Sequence, residues 1–332
     1  MHPVKRMLVV LPFALAGCKD TAKQPHPMVM ADAPLPAGEG RLEVDGGTIW
    51  YKRSGSGTGT PVVLVHGGPG LSSYYLKALE ALGDDRPVVR YDQLGGGKSS
   101  RISDTTLMNF DEFAAQLDAL RQELGYSRVH LVGHSWGAML ALEYYRRHPD
   151  RVESLVLASP SLDVAAWNRD VTRLVATLSD SAQRAIRSYE QRGRENPGAY
   201  AVAVGEFYRR YVWRHPVAAD LDSTLLTSNQ AVGGYMKGSA AFVIGGTLGR
   251  YDATPYLKRV TVPVLYTAGE FDEADPATVR RFAALTRGAA VVVIPGAAHM
   301  TTWDNPSATV AAVRAFLRRA DSTMAKRRRN YL

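Results

Sequence analysis

The chain has little cysteine, no internal repeat and no long apolar run. Cys18 is the only cysteine among 332 residues, so no disulfide can join two parts of the chain. The lack of a repeated unit argues against solenoid and propeller folds. The apolar run at residues 7–17 has only 11 residues, which is too short for a helix that spans a bilayer.

Composition and charge indicate a soluble globular protein. Hydrophobic residues make up 45% of the chain and charged residues 22%. The net charge is +8, but six basic residues lie near the two ends, at positions 5–6 and 326–329, and the rest of the chain carries only +2. Because no concentrated basic stripe remains, we expect no nucleic-acid partner.

The N-terminus has the features of an export signal. Two basic residues precede the apolar run, which ends in the string Leu-Ala-Gly-Cys at positions 15–18. This string resembles a bacterial lipobox, and the resemblance implies that residues 1–17 are a signal peptide and that Cys18 is lipidated. The proline-rich stretch 18–40 is then a flexible tether. We expect a protein anchored to the cell-envelope membrane, facing the periplasm or the exterior; a short uncleaved apolar start with an incidental cysteine is the alternative.

The folded part of the chain alternates between strands and helices. Short Val-rich runs such as PVVLV and VESLVLA are typical of strands that are buried on both faces. Helical stretches separate them, which predicts an α/β-hydrolase fold: a mostly parallel sheet flanked by helices. The alternation stops between residues 161 and 250, where the sequence is largely helical. We therefore predict a core at 41–160 and 251–320, an inserted helical cap at 161–250, and a basic tail at 321–332.

Ser135 lies in a G-x-S-x-G sequence, GHSWG at 133–137. A Val-rich strand precedes this sequence and a helix follows it, which is the context of a nucleophile elbow. A serine hydroxyl is a weak nucleophile and needs a neighbouring base. The sequence therefore predicts Ser135 as the nucleophile of a hydrolase.

The other two members of a catalytic triad follow in the order expected of this fold. Among eight histidines, His299 is the one that follows a late strand at the carboxyl edge of the sheet. Asp272, after the preceding strand, is predicted to orient it, with Asp275 and Asp163 as alternatives. Two backbone N–H groups, those of Trp136 and Gly68, are predicted to form the oxyanion hole. This chemistry needs neither a cofactor nor a metal.

Several segments resemble the proline iminopeptidase family of α/β hydrolases. They are HGGPG at 66–70, YDQLGGGKS at 91–99, GHSWG at 133–137, FYRRYVWR at 207–214 and GEFDEADP at 269–276. The resemblance implies release of an N-terminal residue, often proline, with carboxylates of the cap holding the substrate amine. A glutamate of the family corresponds to Ala241 here, so Glu206 or another acid of the cap is the expected substitute.

The sequence is compatible with three functions. The leading one is an aminopeptidase or amidase that forms an acyl-Ser135 intermediate on small peptides or amides. The second keeps the same triad but acts on esters or lactones. The third is a non-catalytic binding protein of the cell envelope with a hydrolase fold. The physiological substrate and the oligomeric state do not follow from the sequence.

Overall fold

A computed structural model of the chain describes residues 36–191, 196–216 and 219–329. The predicted signal peptide, Cys18 and most of the predicted tether lie outside these residues. None of the helices within the described ranges is both long and apolar enough to cross a membrane.

An eight-stranded, mostly parallel sheet forms the centre of the fold. Its spatial order is β1-β2-β4-β3-β5-β6-β7-β8; the pairs β1–β2 and β2–β4 are antiparallel and the others are parallel. This arrangement confirms the predicted fold class. The strands are β1 (Gly38–Val44), β2 (Gly47–Ser54), β3 (Val62–Val65), β4 (Val88–Asp92), β5 (Val129–His134), β6 (Val152–Ala158), β7 (Val264–Gly269) and β8 (Ala290–Ile294).

Helices cover the sheet and explain its apolar strands. Strands β3 to β7 are buried along their whole length, whereas the edge strand β1 is at most half-buried at every position. The helices are α1 (Phe110–Glu123), α2 (Trp136–Arg147), α3 (Val164–Val175), α4 (Asp180–Gln191), α5 (Pro197–Tyr211), α6 (Ala219–Leu226), α7 (Gln230–Met236), α8 (Thr254–Leu257), α9 (Pro276–Leu285), α10 (Thr301–Asp304) and α11 (Pro306–Arg329).

Strand register determines where chemistry can occur. His134 pairs with Ala158, and Ala158 pairs with Thr267, so β5, β6 and β7 end side by side. The loops after these strands therefore meet at one edge of the sheet, where active sites of open α/β sheets form. Helices α3 to α7 are inserted between β6 and β7, within the stretch predicted as the cap.

The last helix is longer than the sequence pattern indicates. Helix α11 continues to Arg329, nine residues into the stretch 321–332 that we predict as a basic tail. At the start of this stretch, Asp321 bonds the buried guanidinium of Arg86 at 2.8 Å and the ring of His130 at 3.0 Å. These contacts hold the helix against the sheet beyond its apolar face.

Candidate active site

Ser135 occupies the strained turn between β5 and α2. Its backbone has φ 55° and ψ −119°, a conformation that is rare for a residue with a side chain. The flanking glycines allow the tight crossing: a Cβ on Gly133 would lie 2.2 Å from the carbonyl oxygen of Gly137, and one on Gly137 would lie 2.1 Å from that of Val65. The turn therefore depends on glycine on both sides of the serine.

His299 is hydrogen-bonded to Asp272. Its Nδ1 lies 2.8 Å from Oδ1 of Asp272, and both side chains are buried. The carboxylate also accepts bonds from the N–H of Gly269 at 2.9 Å, the N–H of Ala274 at 2.8 Å and Oγ of Ser159 at 2.6 Å. This network fixes the carboxylate, and the carboxylate fixes the orientation of the imidazole.

Charges around His299 determine its basicity. Burial disfavours the imidazolium, but the negative charges of Asp272 and Glu273 outweigh that effect and raise the pKa of His299. The neighbouring His134 differs, since burial lowers its pKa to about 3. Its ring nitrogens bond the hydroxyl of Tyr75 at 2.8 Å and the carbonyl of His299 at 2.9 Å, so His134 supports the backbone of the base.

The alternative carboxylates do not reach the imidazole. Asp275 caps α9 through the N–H of Ala277 and pairs with Arg173, while Asp163 caps α3 through the N–H of Ala166. Both are engaged in local structure, so Asp272 is the one of the three that contacts the histidine.

Ser135 and His299 line the same cavity, which has a volume of about 580 Å³. This size suits a small organic substrate. Within the described residues the serine hydroxyl is not hydrogen-bonded to the imidazole. Such bonds are often long in ligand-free enzymes and shorten when the substrate binds.

The predicted oxyanion-hole residues lie at the same cavity. Gly68 and Trp136 both line it beside Ser135. Gly68 has φ +123°, and a Cβ there would lie 2.8 Å from the backbone nitrogens of Gly70 and Leu71, so the loop requires glycine. The N–H of Gly67 is already bonded to the hydroxyl of Tyr75 at 2.7 Å, which leaves the next N–H along the loop as the candidate donor.

Glu206 is not brought to the cavity. Its carboxylate accepts bonds from the N–H of Ser179 at 2.9 Å and from the hydroxyl of Ser179 at 2.7 Å, and it pairs with Arg210 at 2.8 Å. It thus caps the start of α4 from α5. Ala241, by contrast, does line the cavity.

Two charged residues of the cavity, Glu273 and Lys237, belong to none of the sites that the sequence predicts. Glu273 follows Asp272 directly, lines the cavity, and has Oε1 3.8 Å from Nε2 of His299. Burial raises its pKa, against the positive influence of His299 and Lys237. Lys237, just after α7, also lines the cavity. The only sequence signal for Glu273 is its place beside the triad acid, and Lys237 has none.

The chain is similar to a family and to individual proteins of that family. The family model of the alpha/beta hydrolase fold, which describes the sequences of that family, matches residues 60–306 of this chain. A proline iminopeptidase of Heyndrickxia coagulans is 38% identical over 288 residues, which cover 84% of this chain and 98% of that protein. One of Levilactobacillus brevis is 33% identical over 261 residues, covering 75% and 85%. The structure of the Mycobacterium smegmatis proline iminopeptidase matches with a TM-score of 0.81 and 30% identity, covering 86% of this chain and 100% of that one.

Proposed function

Because the chain belongs to the α/β-hydrolase fold family, and within it to the proline iminopeptidases, we propose that it releases N-terminal residues from short peptides or small amides. The observation that carries this proposal is the hydrogen-bonded pair of Asp272 and His299, at the same cavity as the strained Ser135. The relatives are named for N-terminal proline, and whether proline is preferred here depends on the rest of the cavity.

The proposed reaction has two halves. Oγ of Ser135 attacks the carbonyl carbon of the substrate while Nε2 of His299 takes the hydroxyl proton. The N–H groups of Gly68 and Trp136 bind the resulting oxyanion. The imidazolium then gives its proton to the leaving amine, which departs and leaves an acyl-serine ester. Water, deprotonated by the same histidine, hydrolyses that ester and restores the serine.

Glu273 gives the cavity a site for a free amine. A carboxylate that lines the cavity, within 4 Å of the catalytic imidazole, can bind the ammonium of an N-terminal residue while its carbonyl reaches Ser135. We assign this role to Glu273 instead of Glu206, because Glu206 is bonded to Ser179 and Arg210 away from the cavity.

A labelling and turnover experiment tests this function. Protein lacking residues 1–18 is expected to hydrolyse aminoacyl naphthylamides and to be labelled by a fluorophosphonate at Ser135. Ser135→Ala should lose both properties, whereas Ser161→Ala, a change in another serine that lines the cavity, should retain labelling. Full turnover by Ser135→Ala, with no serine labelled in the wild type, would refute the proposal.

An esterase or lactonase is the second candidate. Ala241 lines the cavity where the family resemblance implies a glutamate, so fewer carboxylates face the substrate amine than the family pattern implies. Substrates without an ammonium lose nothing from that change. A higher kcat/KM for a p-nitrophenyl ester than for prolyl-naphthylamide, each compared with its uncatalysed rate, would favour this candidate.

We also propose that Cys18 carries a lipid that holds the enzyme at the cell-envelope membrane. The support is the string at positions 15–18, which follows an apolar run and two basic residues. Wild-type protein should sediment with membranes and incorporate labelled palmitate. Cys18→Ser should remain soluble or unprocessed, and equal palmitate incorporation by both proteins would contradict the anchor.

A further inference from the structure

Lys237 is held in the cavity wall by the backbone around it. It follows α7, and the next residue, Gly238, has φ +98°, a conformation that other residues rarely adopt. The carbonyl of Lys237 accepts a bond from the N–H of Gly245 at 2.6 Å. The side chain turns back so that Nζ donates to the carbonyl of Ala241 at 2.8 Å. The ammonium therefore has a defined position.

Among the described residues, the ammonium of Lys237 makes one hydrogen bond and no ion pair. In the part of the chain that the structure describes, no carboxylate lies within 4.0 Å of Nζ. One bond to a carbonyl satisfies one of the three donors of an ammonium. Burial lowers the pKa of Lys237, while the negative charge of Glu273 opposes that effect. A half-buried ammonium that lines the cavity and is held by one protein hydrogen bond can bind an anion that enters the cavity.

The cavity thus offers one carboxylate and one ammonium to the same ligand. Lys237 and Glu273 both line it, and each affects the pKa of the other. Lys237 lines the same cavity as Ser135 and His299, and its positive charge lowers the pKa of His299. A ligand that complements this pair carries an ammonium and a carboxylate.

We propose that Lys237 binds a carboxylate on the N-terminal residue of the substrate, so that the enzyme prefers acidic N-terminal residues over neutral residues of the same shape. This inference rests on the proposed function, in which Glu273 holds the free amine of the same residue. A carboxylate on the leaving group would have the same chemistry, but Nζ of Lys237 bonds the carbonyl of Ala241, the position where the family pattern has a carboxylate for the substrate amine, which places Lys237 on the acyl side.

Matched substrates test the preference. Glutamyl- and glutaminyl-naphthylamide differ by one charge in the acyl residue, and Ala-Ala and Ala-Ala-amide differ by one charge in the leaving group. We expect kcat/KM to favour glutamyl over glutaminyl by about 10- to 100-fold, mainly through KM. Lys237→Met should abolish this ratio and Lys237→Arg should retain most of it, whereas Lys258→Met, a change in an exposed lysine, serves as the control.

Several results would overturn the proposal. One is an equal rate of the wild type on both naphthylamides. Another is an equal loss of rate on both substrates in Lys237→Met, which would assign Lys237 to support of the Ala241 turn. Discrimination confined to Ala-Ala against its amide would move the carboxylate to the leaving group and refute the acyl-side assignment.

A binding experiment separates this inference from the proposed function. Calorimetric titration with free L-glutamate and L-glutamine needs no turnover. Tighter binding of glutamate, lost in Lys237→Met, supports the site even if amides are not hydrolysed. Equal binding of both amino acids refutes it even if Ser135 is labelled by a fluorophosphonate.

Discussion

At the scale of single residues, three charged side chains tune one imidazole. Asp272 and Glu273 raise the pKa of His299, while burial and Lys237 lower it. Asp272 is held by three further hydrogen bonds, but Glu273 and Lys237 face the cavity and can also meet a ligand. The basicity of His299 therefore depends on what these two residues bind.

Replacing Glu273 should shift the pH dependence of activity. His299 acts as a base only when neutral, so kcat/KM increases as the pH rises through its pKa. The charge of Glu273 raises that pKa; Glu273→Gln should therefore move the rising limb to lower pH. Lys237→Met should move it to higher pH. The measurement is hydrolysis of a neutral p-nitrophenyl ester, which needs no amine site, from about pH 5 to 9. An unmoved limb in both variants would contradict this account of the charges.

The three candidate orienting carboxylates can be distinguished by mutation. Asp272→Asn keeps the shape of the side chain but favours the wrong histidine tautomer, so kcat should fall by about 10³- to 10⁴-fold. Asp275→Asn, which weakens only the cap of α9 and the pair with Arg173, should change kcat by less than about threefold. A larger loss in the second variant than in the first would reverse the assignment.

At the scale of elements, the geometry of the nucleophile elbow, the turn between β5 and α2, follows from its sequence pattern. The strand β5, the glycines of GHSWG and the helix α2 are all visible in the sequence, and together they determine the position of the half-buried Ser135. Position 133 lies opposite the backbone of α2, so its side-chain hydrogen is a packing requirement. The sequence pattern around GHSWG predicts this turn because the strand, the glycines and the helix that form it follow one another directly in the chain.

Gly133→Ala should disrupt this element. Its Cβ would lie 2.2 Å from a backbone oxygen, which cannot rotate away as a flexible side chain can. We expect a loss of about 1–3 kcal/mol of unfolding free energy and a large loss of kcat. Gly198→Ala is the matched control. Gly198 lies in the first turn of α5, and only one atom, at 3.8 Å, lies near the position of the added methyl group. This substitution should leave the stability of the protein equal or slightly higher. Urea unfolding with activity assays decides; wild-type values for Gly133→Ala would refute the packing requirement.

Residues of the cap show which contacts a local sequence pattern does not determine. The fold, the strained serine and the pair of Asp272 and His299 follow from strand order and local motifs. The orientation of a cap helix is determined by tertiary packing, so the direction in which Glu206 points is not visible in its pattern. Glu273 and Lys237, 36 residues apart in sequence, line the same cavity for the same reason. Contacts of this kind need coordinates.

At the scale of the whole molecule, the C-terminal helix closes the sheet domain. Helix α11 packs against β6 and β8, and Asp321 bonds Arg86 and His130. The side chain of Arg86 is only 3% exposed and that of Asp321 is 33% exposed. Polar contacts thus extend the attachment of α11 towards residues that the charge pattern alone assigns to a free tail.

Asp321→Asn should destabilise the protein in a pH-dependent way. The change leaves a buried guanidinium without its counter-charge, and partial exposure of Asp321 limits the expected loss to about 1–2 kcal/mol of unfolding free energy. Burial alone would raise the pKa of Asp321, but hydrogen bonds from His130 and Arg86 outweigh it and lower that pKa. The stabilisation is therefore present above about pH 4 and is lost as the pH falls through the lowered pKa. Urea unfolding should show the deficit at pH 7 and convergence with wild type at low pH.

The control is Asp84→Asn, because the side chain of Asp84 is 83% exposed. This substitution should cost less than about 0.5 kcal/mol of unfolding free energy. An equal cost in both variants would mean that the attachment of α11 does not depend on the buried pair of Arg86 and Asp321.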